Sequence, residues 1–217
     1  MNYRPGFIRR DVKLFHKGSG SFTDVIGQEN PDGLVVKEYK MMPQHVDSLF
    51  NGETDLKKQA QILNERQKLL KDFFESEMPG SILKTNFVVG ETGEGRKTVF
   101  EVQEALPSFL SIDALEKDEQ YIAQLFGEDY EKKIKYLKND IKILLKILGN
   151  ILVKDKVGIF EDVIPDLPPH NIAVTKDGRI KFFDLNFMPK RASWHLGKIR
   201  KSIDTLNRIL IFLDSNK

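Results

Sequence analysis

The residue pattern changes character near Leu106, and that change constrains the fold more than any other feature of the chain. Before it, strand-like runs alternate with Gly and Asn-Pro-Asp-Gly punctuation; after it, helical periodicity takes over. Val12 to Tyr39 reads as a hairpin followed by a third strand. Asp55 to Ser76 reads as a helix, because Leu56, Ala60, Leu63, Leu70 and Phe74 recur at three- and four-residue intervals, with Ile62, Leu69 and Phe73 widening the stripe. Pro79-Gly80 ends it. Ile82 to Gly90 and Lys97 to Gln103 then read as two more strands, joined by the turn-like Glu91-Thr-Gly-Glu-Gly95.

Beyond Leu106-Pro107, Ile112 to Phe126 and Tyr130 to Val153 read as amphipathic helices. A short hairpin follows, Asn171 to Val174 and Arg179 to Phe183, turned by Lys176-Asp177-Gly178, and a last helix runs from about Ile203 to Leu213. The expectation is an α+β chain of two lobes: residues 1–106 with five strands and one helix, and residues 107–217, mainly helical.

Charge and composition narrow the function by exclusion. The 34 basic and 32 acidic side chains leave a net charge of +2, so no global field points to nucleic acid or an anionic membrane. With no cysteine there are no disulfides, no thiolate nucleophile and no cysteine metal site. His16, His45, His170 and His195 lack metal-ligand spacing. The longest apolar run, Ile141 to Val153, is too short to span a bilayer. Met1 to Arg10 carries arginines without the apolar stretch of a secretory signal. The expected location is the cytoplasm, or a host cell reached without a cleavable signal.

Four segments carry the chemistry. Gly18-Ser19-Gly20-Ser21-Phe-Thr-Asp-Val25 lies between two strand-like runs and resembles the glycine-rich loop of protein kinases, with Thr23 where that family usually has a third glycine. Leu34-Val-Val-Lys37 resembles the kinase third strand and its phosphate-binding lysine, and Glu65 lies mid-helix at the margin of the apolar stripe, where it could face that lysine. Asp166-Leu-Pro-Pro-His-Asn171, followed by a hairpin and Asp184-Leu-Asn186, resembles the catalytic loop and metal-binding triplet in order and spacing. Asp204, in the last helix, resembles the aspartate that braces the catalytic loop, and a helix N-cap is its plain competitor.

This resemblance to the protein-kinase-like superfamily, running from about Lys13 to Leu213, implies a bilobal fold that binds ATP and Mg²⁺. It implies that Lys37, oriented by Glu65, holds the α- and β-phosphates, and that Gly18, Ser19, Gly20, Ser21 and Val25 cover the nucleotide. Glu104 and Leu106 are implied nucleotide contacts where the lobes meet. Asn171 and Asp184 are implied Mg²⁺ ligands, and Asp166 the base that orients the acceptor hydroxyl. Ile164-Pro165 stand where the family has His-Arg, so no arginine beside Asp166 awaits a phosphorylated activation loop. No Ala-Pro-Glu segment follows Asp184, so the chain is similar to minimal Ser/Thr kinases with a truncated helical C-lobe, such as the effectors some bacterial pathogens deliver into host cells.

A protein substrate is expected, and an activating protein partner is left open. So are a small-molecule phosphotransferase, a pseudokinase, and nucleotidyl transfer on the same fold. The basic residues Lys190, Arg191, Lys198, Arg200 and Lys201 lie in the connection from Leu185 to Asp204, either as a contact for an acidic partner or as a solvated stretch.

Overall fold

A computed structural model describes residues 14–19, 23–28, 34–39, 50, 52–106, 109–115, 119–153, 163–165, 167–183, 185, 187–189 and 193–215. The fold is α+β with antiparallel sheets. It divides into two units, one of residues 1–70 and 84–105, the other of residues 71–83 and 106–217. The later boundary falls beside Leu106, whereas residues 71–83, which the sequence pattern put with the first unit, group with the second.

The first unit is built on β1 (Leu14–Ser19), β2 (Thr23–Gln28), β3 (Leu34–Tyr39), β4 (Thr85–Glu91) and β5 (Lys97–Glu104), in the order β1-β2-β3-β5-β4. Strand alternation gives β3 two distinct faces. Val36 packs with Phe100 and Val102 into an apolar cluster supported by Leu34 and Val88. Lys37 and Tyr39 belong to opposite parity from Val36 and are nonetheless buried. Helix α1 (Leu56–Glu75) begins where Asp55 caps it, its carboxylate accepting the backbone amides of Lys57 at 2.8 Å and Lys58 at 3.1 Å. Those two amides, Lys58 first, hold the Asp55 carboxyl below its ordinary pKa. Midway along α1, Asn64 takes the carbonyl and the amide of Phe87 on the edge strand β4, both at 2.8 Å. Two outward-facing backbone groups of that strand are thereby satisfied.

In the second unit α2 (Glu119–Phe126) leads into α3 (Tyr130–Val153), which packs against α4 (Ser193–Ser215). Leu137, Ile141, Leu144 and Leu148 of α3 and Ile199, Leu206, Ile209 and Leu213 of α4 are all buried. Burial of each such side chain contributes about 1.5–3 kcal/mol before entropy is counted. A three-stranded sheet, β6 (Phe109–Ser111), β8 (Ile172–Thr175) and β9 (Ile180–Phe182), has β8 at its centre. A two-stranded ribbon pairs β7 (Val163–Pro165) with β10 (Phe187–Pro189). The turn after α1 joins this unit, with the Phe74 and Phe182 rings 4.9 Å apart and Ile82 bridged to Phe182.

Three expectations are corrected here. Ile112 to Phe126 is not one helix: β6 pairs Leu110 with Val174, the Ile112 amide donates to the Ile172 carbonyl, and helix resumes only at Glu119. Ile112 and Leu115 are buried at a helix-like spacing, but in a turn. The last helix starts at Ser193 rather than Ile203, so Asp204 lies well inside it and is not an N-cap. The connection from Leu185 therefore contains a strand and the first half of a helix, with Lys198, Arg200 and Lys201 on that helix.

Candidate functional site

In the first unit, Lys37 sits in a buried polar cluster on β3 and β5. Register places Lys37 directly opposite Glu101, and Val35 opposite Gln103, so Glu101 and Gln103 share the Lys37 face. Lys37 is 4% exposed and Glu101 3%. The ammonium lies 3.8 Å from the Glu101 carboxylate and donates to Gln103 Oε1 at 3.3 Å. Gln103 in turn donates from Nε2 to Glu101 at 3.3 Å and to Thr85 Oγ1 at 3.1 Å. Burial pushes the Tyr39 hydroxyl far above the ordinary phenol range, the Glu101 carboxylate adds to the rise, and the Arg66 guanidinium of α1 opposes it.

Glu65 is not brought to Lys37 among the described contacts. It is exposed and accepts a hydrogen bond from Gln61 at 2.9 Å. The buried stripe of α1 runs through Ala60, Leu63, Gln67, Leu70 and Phe74, and Glu65 falls almost opposite it at 100° per residue. Counting Leu69 into the stripe pulled its apparent margin toward Glu65, yet Leu69 is 45% exposed. The helix residue placed near Tyr39 is the next one, Arg66.

For the expected glycine-rich loop, the structure places Gly18 opposite Val25 and Ser19 opposite Asp24 in the β1–β2 ladder, with a bulge between His16 and Gly18. Gly20 and Ser21 lie outside the described residues. Glu104 ends β5 exposed, its amide donating to the Lys84 carbonyl at 2.8 Å.

In the second unit, Leu106 is half-buried. Asn171 is 5% exposed, at the end of a 3-10 turn formed by Pro169, His170 and Asn171, and it leads directly into β8. Its carbonyl accepts the Phe183 amide at 3.1 Å, which ties the start of the hairpin to its finish. On the flanks, Pro165 pairs with Phe187, and Leu167 and Leu185 are buried. Asp166, Asp184 and Asn186, the neighbours of these residues, lie outside the described residues. His170 is exposed.

The hairpin is anchored to α3. Buried Asp140 accepts from Arg179 Nε at 2.9 Å and from the Ile180 amide at 3.1 Å. Gly178 turns the hairpin at φ +77°, so close to α3 that a Cβ there would lie 2.4 Å from the Lys133 carbonyl oxygen. From α4, the buried Ser202 hydroxyl donates to the Leu167 carbonyl at 2.5 Å. Asp204, the residue expected to brace this loop, is exposed.

A recess of about 310 Å³ between the 78–81 turn and the hairpin is lined by Asp140, Asp177, Arg179 and Lys181 and by none of the expected site residues. Two of its charges already face each other in the Arg179–Asp140 pair, and Lys181 donates to the Gly80 carbonyl. Among the described residues no group of three or more His, Cys, Asp or Glu could hold a metal ion, and no helix is long and apolar enough to cross a membrane.

Neither a protein-family model nor a curated protein matches this chain.

Glu101, Gln103, Asp140 and Ser202 were not singled out from sequence. Asp140 had a signal: it interrupts the apolar series Leu137, Ile141, Leu144 on the inward face of α3. Glu101 and Gln103 alternate with Phe100 and Val102, a period of two that puts both on one face of β5. Ser202 carried none, because a small polar residue in a helix is common on every face.

Proposed function

We propose that this chain is a minimal bilobal protein-kinase-like enzyme that uses ATP and Mg²⁺ to phosphorylate a Ser or Thr hydroxyl of a partner protein. The observation that carries the reading is the buried Lys37 on the third strand of a five-stranded antiparallel sheet, in a chain whose later hairpin opens on a buried Asn171. A lysine ammonium enclosed by polar groups suits the α- and β-phosphates of a nucleotide. Support also comes from the hydrogen bond between Asn171 and Phe183, because Phe183 immediately precedes Asp184.

The donor set fits magnesium in kind. Asn171 offers an amide oxygen and Asp184 a carboxylate, and Mg²⁺ takes such oxygens together with phosphates and water. When bound, the ion supplies charge neutralisation at the phosphates. In the transfer, the acceptor oxygen bonds to the γ-phosphorus while its bond to the bridging oxygen breaks, ADP departs, and Asp166 accepts the hydroxyl proton.

The test is a thermal-shift titration with Mg-ATP followed by turnover. A ligand that binds only the native state raises Tm by mass action, and Asp184→Ala should remove the metal-dependent part. Asp166→Ala should abolish turnover and leave nucleotide affinity nearly intact. An unchanged Tm at saturating Mg-ATP, or wild-type turnover in Asp166→Ala, overturns the reading.

A further inference from the structure

We infer that Glu101 is the carboxylate that positions Lys37, acting from β5 in the role the kinase resemblance gives to Glu65 on α1. The inference rests on Lys37 being the phosphate-holding lysine. Lys37 and Glu101 are both almost fully buried, and a buried charge persists only with compensation. The carboxylate 3.8 Å away contributes to it. At that separation it acts through its field without occupying an N–H donor, whereas Gln103 accepts a hydrogen bond at 3.3 Å. The Gln103 amide group, held to Thr85, also donates to Glu101, so the carboxylate is itself oriented.

Placement separates the two candidates. Glu101 is the cross-strand partner of Lys37 in the β3–β5 ladder, where directly opposed Cβ atoms are about 5 Å apart. Glu65 is exposed, on the helix face turned away from the buried stripe, and its carboxylate accepts from Gln61. Both members of the Lys37–Glu101 pair belong to one sheet, so hydrogen-bonded register sets their distance. Aligning Lys37 then requires no rotation of α1, and a switch that swung Glu65 toward the lysine would not be needed to supply its carboxylate.

The experiment compares full-length wild type with Glu101→Gln, Glu101→Asp, Glu65→Gln, Lys37→Met and Lys37→Met/Glu101→Gln. It reads Mg-ATP affinity by thermal shift and kcat and KM for ATP by ADP formation. It also reads the pH dependence of Lys37 acetylation by acetic anhydride, with mass-spectrometric detection. Glu101→Gln should lower kcat/KM for Mg-ATP by about 30-fold or more, Glu101→Asp by about fivefold, and Glu65→Gln by less than about twofold. Glu101→Gln should add nothing on top of Lys37→Met, because the two residues act as a unit. Acetylation of Lys37 should begin at lower pH in Glu101→Gln, by a smaller margin in Glu101→Asp, and at unchanged pH in Glu65→Gln, since removing a counterion, or drawing it back by one methylene, favours the neutral amine. A structural role alone would leave that pH dependence in place.

If Lys37→Met loses nucleotide binding while Glu101→Gln keeps it, the inference falls and the kinase reading stands. Equal losses in Glu65→Gln and Glu101→Gln also overturn it. If wild type shows no Mg-ATP shift, the kinase reading falls and takes the inference with it. Should Glu101→Gln fail to fold, Glu101→Asp decides, and unchanged kcat/KM together with unchanged acetylation overturns the assignment.

Discussion

The Lys37 cluster and the β8–β9 hairpin each bury an ionised side chain, and they compensate it differently. Lys37 meets side chains of a neighbouring strand of the same sheet, Glu101 and Gln103 among them. Asp140 is matched by one backbone amide and by Arg179, whose side chain is 42% exposed and also lies over the Tyr136 ring. The first arrangement keeps charge inside the sheet with both partners shielded from water. The second uses charge to fasten one element to another while its cation stays wet. A sequestered pair of opposite charges is expensive for stability and informative about function; a wet, backbone-assisted pair is ordinary fastening.

Breaking the first pair should therefore produce the largest effect. Glu101→Leu alone leaves the Lys37 ammonium buried without this carboxylate and should cost about 3–5 kcal/mol in urea unfolding. Lys37→Met/Glu101→Leu removes both charges and should recover most of the loss. A double variant no more stable than the single one would mean that the pair is not sequestered from solvent.

In the hairpin, geometry outweighs charge. Gly178→Ala combines a left-handed backbone with a clash against the Lys133 carbonyl, and should cost roughly 2–4 kcal/mol. Asp140→Ala should cost about 1–3 kcal/mol, mainly because the buried Ile180 amide loses its partner while Arg179 turns to water. A greater loss for Asp140→Ala than for Glu101→Leu would reverse the contrast.

Ser202→Ala removes one donor from the Leu167 carbonyl and should cost about 1 kcal/mol. Its effect on turnover should be larger than on ATP affinity, because Leu167 follows the proposed base Asp166. Equal loss of kcat and ATP affinity would argue against bracing.

The smallest effect concerns pH. Backbone amides lower the folded pKa of Asp55, so its contribution is complete above the unfolded aspartate pKa and disappears as pH falls through the folded value. Asp55→Asn retains a capping oxygen without titrating, so the part of the acid-side fall in Tm due to this position should vanish.

Long regular elements were legible in the sequence and short ones were not. β3, β5, α1, α3 and the β8–β9 hairpin carry enough period or turn chemistry to be placed within a residue or two. β6, β7 and β10 are three residues each, too short for any alternation to register, and β7 and β10 are held by partners distant in sequence. The start of α4 was hidden because Gly197 breaks its propensity just after the first turn. At the candidate site, the kinase resemblance picks out Lys37 and Asn171 as candidates, and their burial was not readable from sequence. The exposure of Glu65 was not readable, because a helical wheel weights every apolar residue equally, whereas packing leaves Leu69 in solvent.

The grip of Asn64 on Phe87 reaches beyond stability. An edge strand recruits a foreign peptide by offering a continuous row of free amides and carbonyls, and on β4 that row is interrupted midway by a side chain acting as both donor and acceptor. Among the described strands the opposite margin of this sheet is β1. A partner that lengthened the sheet beside β1, the strand that ends in Gly18-Ser19, would couple its own docking to the segment expected to cover the nucleotide.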